Sequence, residues 1–152
     1  MKKLSVFMGG TCAGSTWRDE LVEKLDTTKV DAFNPVVEDW TPECQAVEDE
    51  HKANDDVVLF VLTPESKSIY SWVEVALAAA RDPERTVICV LPERNGQAYE
   101  GHELKAVTKA VKDIKGLGVP VFGNLGELSS YLNERAQKQT NNNKRYLVII
   151  IK

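Results

Sequence analysis

Cysteine is scarce in this 152-residue chain: there are three, Cys12, Cys44 and Cys89, far apart and without a CxxC pair. That excludes a disulfide scaffold and fits a reducing compartment, so a cytoplasmic setting is expected. Histidine is scarcer still. His51 and His102 have no HxH or HxxxH partner, and each is expected to be a surface or capping residue. No zinc spacing, EF-hand loop or serine–histidine–aspartate set is present, so neither metal nor cofactor is expected. Long apolar runs are missing too. Nothing approaches the roughly 18–20 consecutive apolar residues of a membrane span. The apolar run after Met1-Lys2-Lys3 stops at Gly9, too short for the core of a secretion signal. Nor is there an excess of basic charge: 19 basic against 23 acidic residues give a net charge of −4. Nucleic acid and anionic membranes are therefore not expected as partners, although a small local basic spot is compatible with that balance.

What is present is globular. Hydrophobic residues make up 43% and charged residues 28%, in the length of one ordinary domain. A single domain over 1–152 is expected, with no internal repeat and no domain-sized linker. Short β-branched and aromatic runs alternate with helical patterns. Strands are expected over 4–8, 30–33, 57–62, 86–91 and 119–122, with helices over 15–25, 42–53, 71–81, 99–115 and 125–139. Thr41-Pro42-Glu43 is a strong helix start: a capping threonine, proline at the first helical position and an acid in the first turn. The run 57–62 (VVLFVL) is apolar on both faces, as a central parallel strand should be. Asn141-Asn142-Asn143 reads as a polar turn, and 146–151 (YLVIII) as a sixth, C-terminal strand. Such a strand either closes its own sheet edge or swaps onto a second subunit. A homo-oligomer is expected.

This alternation implies right-handed crossovers and an α/β fold, a flavodoxin-like three-layer sandwich with a parallel five-stranded sheet of order 2-1-3-4-5 plus the extra strand. Ligands in such sheets bind at the carboxyl ends of the strands, near the switch between the first and third. Three segments fall there. Gly9-Gly10-Thr11 with Ser15, Trp17 and Arg18 follows the first strand; it is neither GxGxxG nor a P-loop, and is either a tight turn or a place where a ligand approaches the backbone. Asn34-Pro35 with Asp39-Trp40 follows the second, Trp40 being either the wall of a base-sized pocket or an exposed lip. The third runs from Thr63-Pro64 through Ser68, Ser71 and Trp72 to Glu74, in the first turn of an otherwise apolar, largely buried helix. A carboxylate there either complements the helix dipole or serves a pocket.

As an ordered set these residues resemble the nucleoside 2-deoxyribosyltransferase family: Gly9-Gly10-Thr11 with Ser15-Thr16-Trp17-Arg18, Asn34-Pro35 with Asp39 to Cys44, and Asp56 to Pro64 with Tyr70-Ser71-Trp72-Val73-Glu74. The resemblance implies a flavodoxin-like fold and Glu74 as a nucleophile on C1′ of a deoxynucleoside. The resulting deoxyribosyl ester passes its sugar to another nucleobase or to water. It implies Glu48 as the acid that protonates the leaving base, with Asp49 beside it. Substrate contacts are implied at Gly9, Gly10, Thr11, Ser15, Trp17, Arg18, Asn34, Pro35, Trp40, Asp49, Ser68, Ser71 and Trp72. One departure stands out: Ser68 occupies the place where such transferases usually carry a sugar-holding aspartate. Hydrolysis of a deoxynucleoside 5′-monophosphate is thus a second expectation, with Arg18 and the N–H groups near Gly10 and Ser71 on the phosphate. A third is a nucleoside- or nucleotide-binding module without turnover. A flavin carrier is disfavoured, because no Ser/Thr-rich phosphate loop follows the first strand.

Overall fold

The structure is a computed structural model that describes residues 1–12 and 14–150, with side chains to 146. Seven strands and five helices follow one another as β1 (Leu4–Gly10), α1 (Trp17–Lys24), β2 (Val30–Phe33), α2 (Pro42–Asn54), β3 (Val57–Leu62), α3 (Ile69–Arg81), β4 (Thr86–Val90), β5 (Glu93–Arg94), β6 (Gln97–Ala98), α4 (Gly101–Gly116), β7 (Val121–Phe122) and α5 (Leu125–Ile150). Five strands form a parallel sheet in the order β2-β1-β3-β4-β7, while β5 and β6 pair as a separate antiparallel hairpin. Apart from that hairpin, the order is the expected 2-1-3-4-5.

The apolar runs form strands because both faces of the sheet are covered, and the period-two alternation divides them between two cores. Val57, Leu59 and Val61 join Val6, Met8, Val87 and Cys89 beneath α1 and α5, packed against Trp17, Leu21, Leu128 and Leu132. Val58, Phe60 and Leu62 join Phe7, Ile88 and Val90 on the other face, beneath Val75 and Ala79 of α3 and Val107 and Ile114 of α4. The α2 helix lies on that second face but buries no residue. It begins as its sequence dictates, with Thr41 accepting the Cys44 N–H and Pro42 in the first turn.

Three expectations fail. The C-terminal strand does not form: the backbone is helical from Leu125 through Ile150, and Ile151 lies outside the described residues. The asparagines 141–143 continue that helix instead of turning, and Gln137 donates to Asn141 one turn on at 3.0 Å. Leu128, Leu132, Ala136 and Thr140 recur every four residues as the buried side of α5. Extending a formed helix costs far less than nucleating one, whereas a lone β-prone segment has no structure without a strand beside it. The α3 helix is also not largely buried. Val75 and Ala79 are its only buried residues, while Ile69, Tyr70, Val73 and Leu77 are exposed. Among the described residues, no helix is long and apolar enough to cross a membrane.

At the carboxyl edge of β1 the backbone demands glycine. Gly10 has φ +114°, and a Cβ there would run into the Val61 carbonyl oxygen of β3. At Gly9 a Cβ would lie 2.8 Å from the Phe60 ring. Both glycines are thus fixed by strand packing. Gly10→Ala combines a left-handed φ with a backbone clash and should cost more than about 1 kcal/mol, lowering Tm by about 2–4 °C or more. Thermal unfolding followed by circular dichroism checks this.

Candidate active site

The loops after β1 and β3 meet at Thr11, which is 1% exposed and uses all its polar groups. Its N–H donates to the Val61 carbonyl at 2.9 Å. Its hydroxyl accepts the Thr63 N–H at 3.0 Å and shares a hydrogen bond with the Ser68 hydroxyl at 3.0 Å. Its carbonyl accepts from Trp17 Nε1 at 2.8 Å and from Arg18 Nη1 at 2.9 Å. Ser68, the residue before α3, has φ 44° and ψ 38°. A serine in that left-handed region is strained by roughly 1–2 kcal/mol. Its hydroxyl is held from both sides, by Thr11 and by Ser66 at 2.7 Å.

Arg18 belongs to the same knot. It is 3% exposed. Its Nε donates to the Met8 carbonyl at 3.0 Å, while Nη2 reaches the Gly10 carbonyl at 3.5 Å and lies 3.9 Å from Cys12 Sγ. Burial pulls the guanidinium pKa below its ordinary value, against the opposing pull of Cys12, Glu48 and Asp19. Arg18 therefore ties loop carbonyls together instead of standing in solvent. Trp17 is 0% exposed within the first core. It packs beneath the loop and has no face open to a ligand.

Glu74 sits in the second turn of α3, not the first, since the helix starts at Ile69. That distance from the helix start weakens the dipole explanation for an acid at this position. Its Oε1 accepts from Lys52 Nζ of α2 at 2.6 Å, with the two side chains 22% and 28% exposed. The Lys52 ammonium also lies 5.3 Å from the centre of the Phe7 ring. Glu74 and Lys52 line a cavity of about 280 Å³ with Phe60, Leu77, Arg81 and Arg85. Gly9 and Thr11 are not part of its lining. Gly9 nonetheless lies on the same sheet face, since its missing side chain would meet the Phe60 and Phe7 rings.

The side of α2 toward the sheet is polar. Cys44, Glu48, His51 and Lys52 are partly buried, and Asp55 at its end is buried. Glu48 bears electrostatically on Arg18. Asp49 is exposed and bonds along its own helix, accepting from Gln45 at 2.9 Å. Of the two neighbouring acids, Glu48 is the partly buried one. His51 is more than a surface residue. Its ring stacks on Phe33 with centroids 3.6 Å apart, and its Nδ1–H donates to Asp55 at 3.0 Å. Nothing in the sequence spacing signals that stack, because β2 and α2 bring the partners together.

The other expected contacts are dispersed. Asn34 turns back to accept the Val36 N–H at 3.0 Å, and Pro35 is half-buried. Trp40 is 62% exposed. Ser71 stands one turn before Glu74 on the same side of α3. Trp72 points away from that side, into a groove against α4. Ser15 donates to Glu65 at 2.6 Å. Glu65 and Arg94 take part in this edge without having been expected. Among the described residues, no group of three or more His, Cys, Asp or Glu stands ready for a metal ion.

A family model described as nucleoside 2-deoxyribosyltransferase like matches residues 3–93, more than half of the chain. Among curated proteins, none matches. Among solved structures, the chain is similar to a conserved protein from Enterococcus faecalis V583. The identity is 16% and the TM-score 0.54, over 88% of this chain and 99% of that one. At that identity the likeness concerns the fold alone.

The thiols report on this edge. Cys12 is exposed in the β1–α1 loop, whereas Cys89 is buried in β4 and its thiol is pushed up to about 12 by burial. Iodoacetamide on the native protein should alkylate Cys12 and leave Cys89 intact until the chain is unfolded. Peptide mass mapping before and after denaturation distinguishes the two.

Proposed function

The chain belongs to the nucleoside 2-deoxyribosyltransferase-like family, and from that premise we propose that it cleaves the N-glycosidic bond of 2′-deoxynucleosides and transfers the deoxyribose to another nucleobase. The observation that carries the reading is Glu74, a half-buried carboxylate held by Lys52 in a cavity over the aromatic face of β1 and β3. In the first step a Glu74 oxygen forms a bond to C1′ as the C1′–N bond breaks. The bond's electron pair leaves with the base, which takes a proton from Glu48. In the second step an incoming base or water attacks C1′, its proton returns to Glu48, and the Glu74 carboxylate is released. Two displacements at one carbon retain its configuration. The carboxylate charge also stabilises the oxocarbenium-like transition states on either side of the ester. Glu48 suits the acid role because it is partly buried and its charge bears on Arg18, while Asp49 is exposed and bonds to Gln45 on its own helix.

A second reading rests on charge. Lys52, Arg81 and Arg85 surround the cavity against Glu74 and Asp82, a balance that favours a substrate carrying an anion. Hydrolysis of a deoxynucleoside 5′-monophosphate is that alternative. Arg18 contributes little to it, because its donors already face loop carbonyls.

A homo-oligomer is part of the proposal. The terminal strand that motivated it is a helix, and the support now is the exposed apolar stripe of Ile69, Tyr70, Val73 and Leu77 on α3. Val73→Asp should shift an oligomer toward monomer in sedimentation velocity, and an unchanged distribution counts against this stripe.

Glu74→Ala should lower base exchange by about 10³-fold or more while leaving the circular dichroism spectrum intact. Glu48→Gln should slow it by roughly 10²–10⁴-fold, with Asp49→Asn close to wild type. Chromatography of a deoxynucleoside incubated with a second free base reads all three. A mass adduct from a 2-fluoro-deoxynucleoside, mapped to the Glu74 peptide, names the nucleophile. Undiminished turnover in Glu74→Ala removes the proposal.

A further inference from the structure

Where the residues matched by the family model end, β5 and β6 form a two-residue hairpin around Asn95 and Gly96, with φ of +51° and +76°. Two consecutive positive φ values define the tight turn that suits an antiparallel pair, and Asn-Gly is the favoured sequence for it. The hairpin carries Arg94 back to the edge where the β1–α1 and β3–α3 loops meet. The Arg94 side chain is 10% exposed. Its Nη2 donates to Glu20 Oε1 at 2.6 Å and its Nη1 to Oε2 at 3.1 Å, a bidentate grip on α1. Nη2 also donates to the Thr16 hydroxyl at 3.0 Å. Nε lies 3.0 Å from Glu65 Oε1 as an ion pair, its N–H not aligned for a hydrogen bond. Asn95 donates to the other Glu65 oxygen at 2.8 Å.

Glu65 passes the constraint on. Its Oε1 accepts from Ser15 at 2.6 Å and from Thr63 at 2.9 Å, one residue from each loop. Thr63 in turn donates its N–H to Thr11, whose hydroxyl meets Ser68. Every link from the hairpin to the strained residue that starts α3 is therefore a hydrogen bond or a charge-assisted contact. A non-glycine residue in the left-handed region persists only where its surroundings over-determine it. The α3 helix that follows carries Glu74.

We propose that Arg94 is a positioning residue, which through Glu20 and Glu65 fixes the β1–α1 and β3–α3 loops and with them the start of the helix bearing Glu74. The inference rests on the deoxyribosyl-transfer reading only for its effect on turnover. The charges agree with a tight clamp. Burial alone would raise the Glu65 carboxyl, but the bonds from Ser15, Thr63 and Asn95 and the Arg94 charge outweigh it and hold the group below its ordinary value. The Glu20 bond raises the Arg94 guanidinium despite its burial.

Hydrogen–deuterium exchange by mass spectrometry on Arg94→Met tests the clamp directly. Peptides covering 63–72 and the β1–α1 loop should exchange about tenfold faster or more, while peptides from β2 and from 125–136 of α5 stay at wild-type rates. Arg94→Lys, a point charge that cannot grip both oxygens of Glu20, should fall between the two; it also keeps the test open if the methionine variant unfolds. In the base-exchange assay both variants should lower kcat with little change in KM. Uniform acceleration across the chain, or none in the two loops, overturns the proposal. So does unchanged kcat alongside loosened loops. Absence of nucleoside turnover in the wild type counts against the proposed reaction alone, because the exchange pattern still decides whether Arg94 fixes the loops.

Discussion

The close approach of β1 to β3 at Gly10 is the constraint on which the rest of the carboxyl edge depends. With no Cβ at that position, the two backbones come near enough for the Thr11 N–H to reach the Val61 carbonyl. Once there, Thr11 can take the Thr63 N–H on its hydroxyl and offer its carbonyl to Trp17 and Arg18. A buried threonine with every polar group matched is a stable hub, since an unmatched group there would cost about 1–3 kcal/mol. The glycine pair thus governs the site by drawing two strands together.

The two faces of the sheet are used differently. Beneath α1 and α5 it is an ordinary dry core. Beneath α2 and α3, aromatic rings form a floor, with Phe7 stacked toward Phe33 at 6.2 Å and edge-on to Phe60 at 6.3 Å. Above that floor stand Glu74 and Lys52 instead of leucines. Charges beside an aromatic face are partly desolvated yet still reachable.

Much of the fold was legible because its signals are local. The strands β1 to β4 announce themselves as short apolar runs, and Thr41-Pro42 marks α2 to the residue. Glu74 was legible as a misfit, a carboxylate among alanines and valines. What was missed depends on tertiary partners. Nothing near Arg18 in sequence says that its guanidinium turns back onto the carbonyls of Met8 and Thr11. Nothing near Trp40 decides between a pocket wall and an exposed lip, and it stands in solvent. The β-branched residues after Tyr146 suggest a strand, but the helix runs on through Ile150. The Asn95-Gly96 turn is different. Its signal lay in the sequence in plain form, between two short polar segments that lacked the hydrophobic alternation a hairpin usually shows.

The unburied α2 helix has a mechanical consequence. Moving a typical surface helix off a sheet uncovers apolar area, at about 25 cal/mol per Å². This one buries none of its own side chains, so tilting it outward incurs less of that penalty. Resistance comes instead from a few discrete ties: the Phe33–His51 stack, the Lys52–Glu74 bridge, and Arg85 gripping the carbonyls of Lys52, Ala53 and Asp55 at its far end. The wall of the cleft is thus pinned at its carboxyl end, like a door at its hinge.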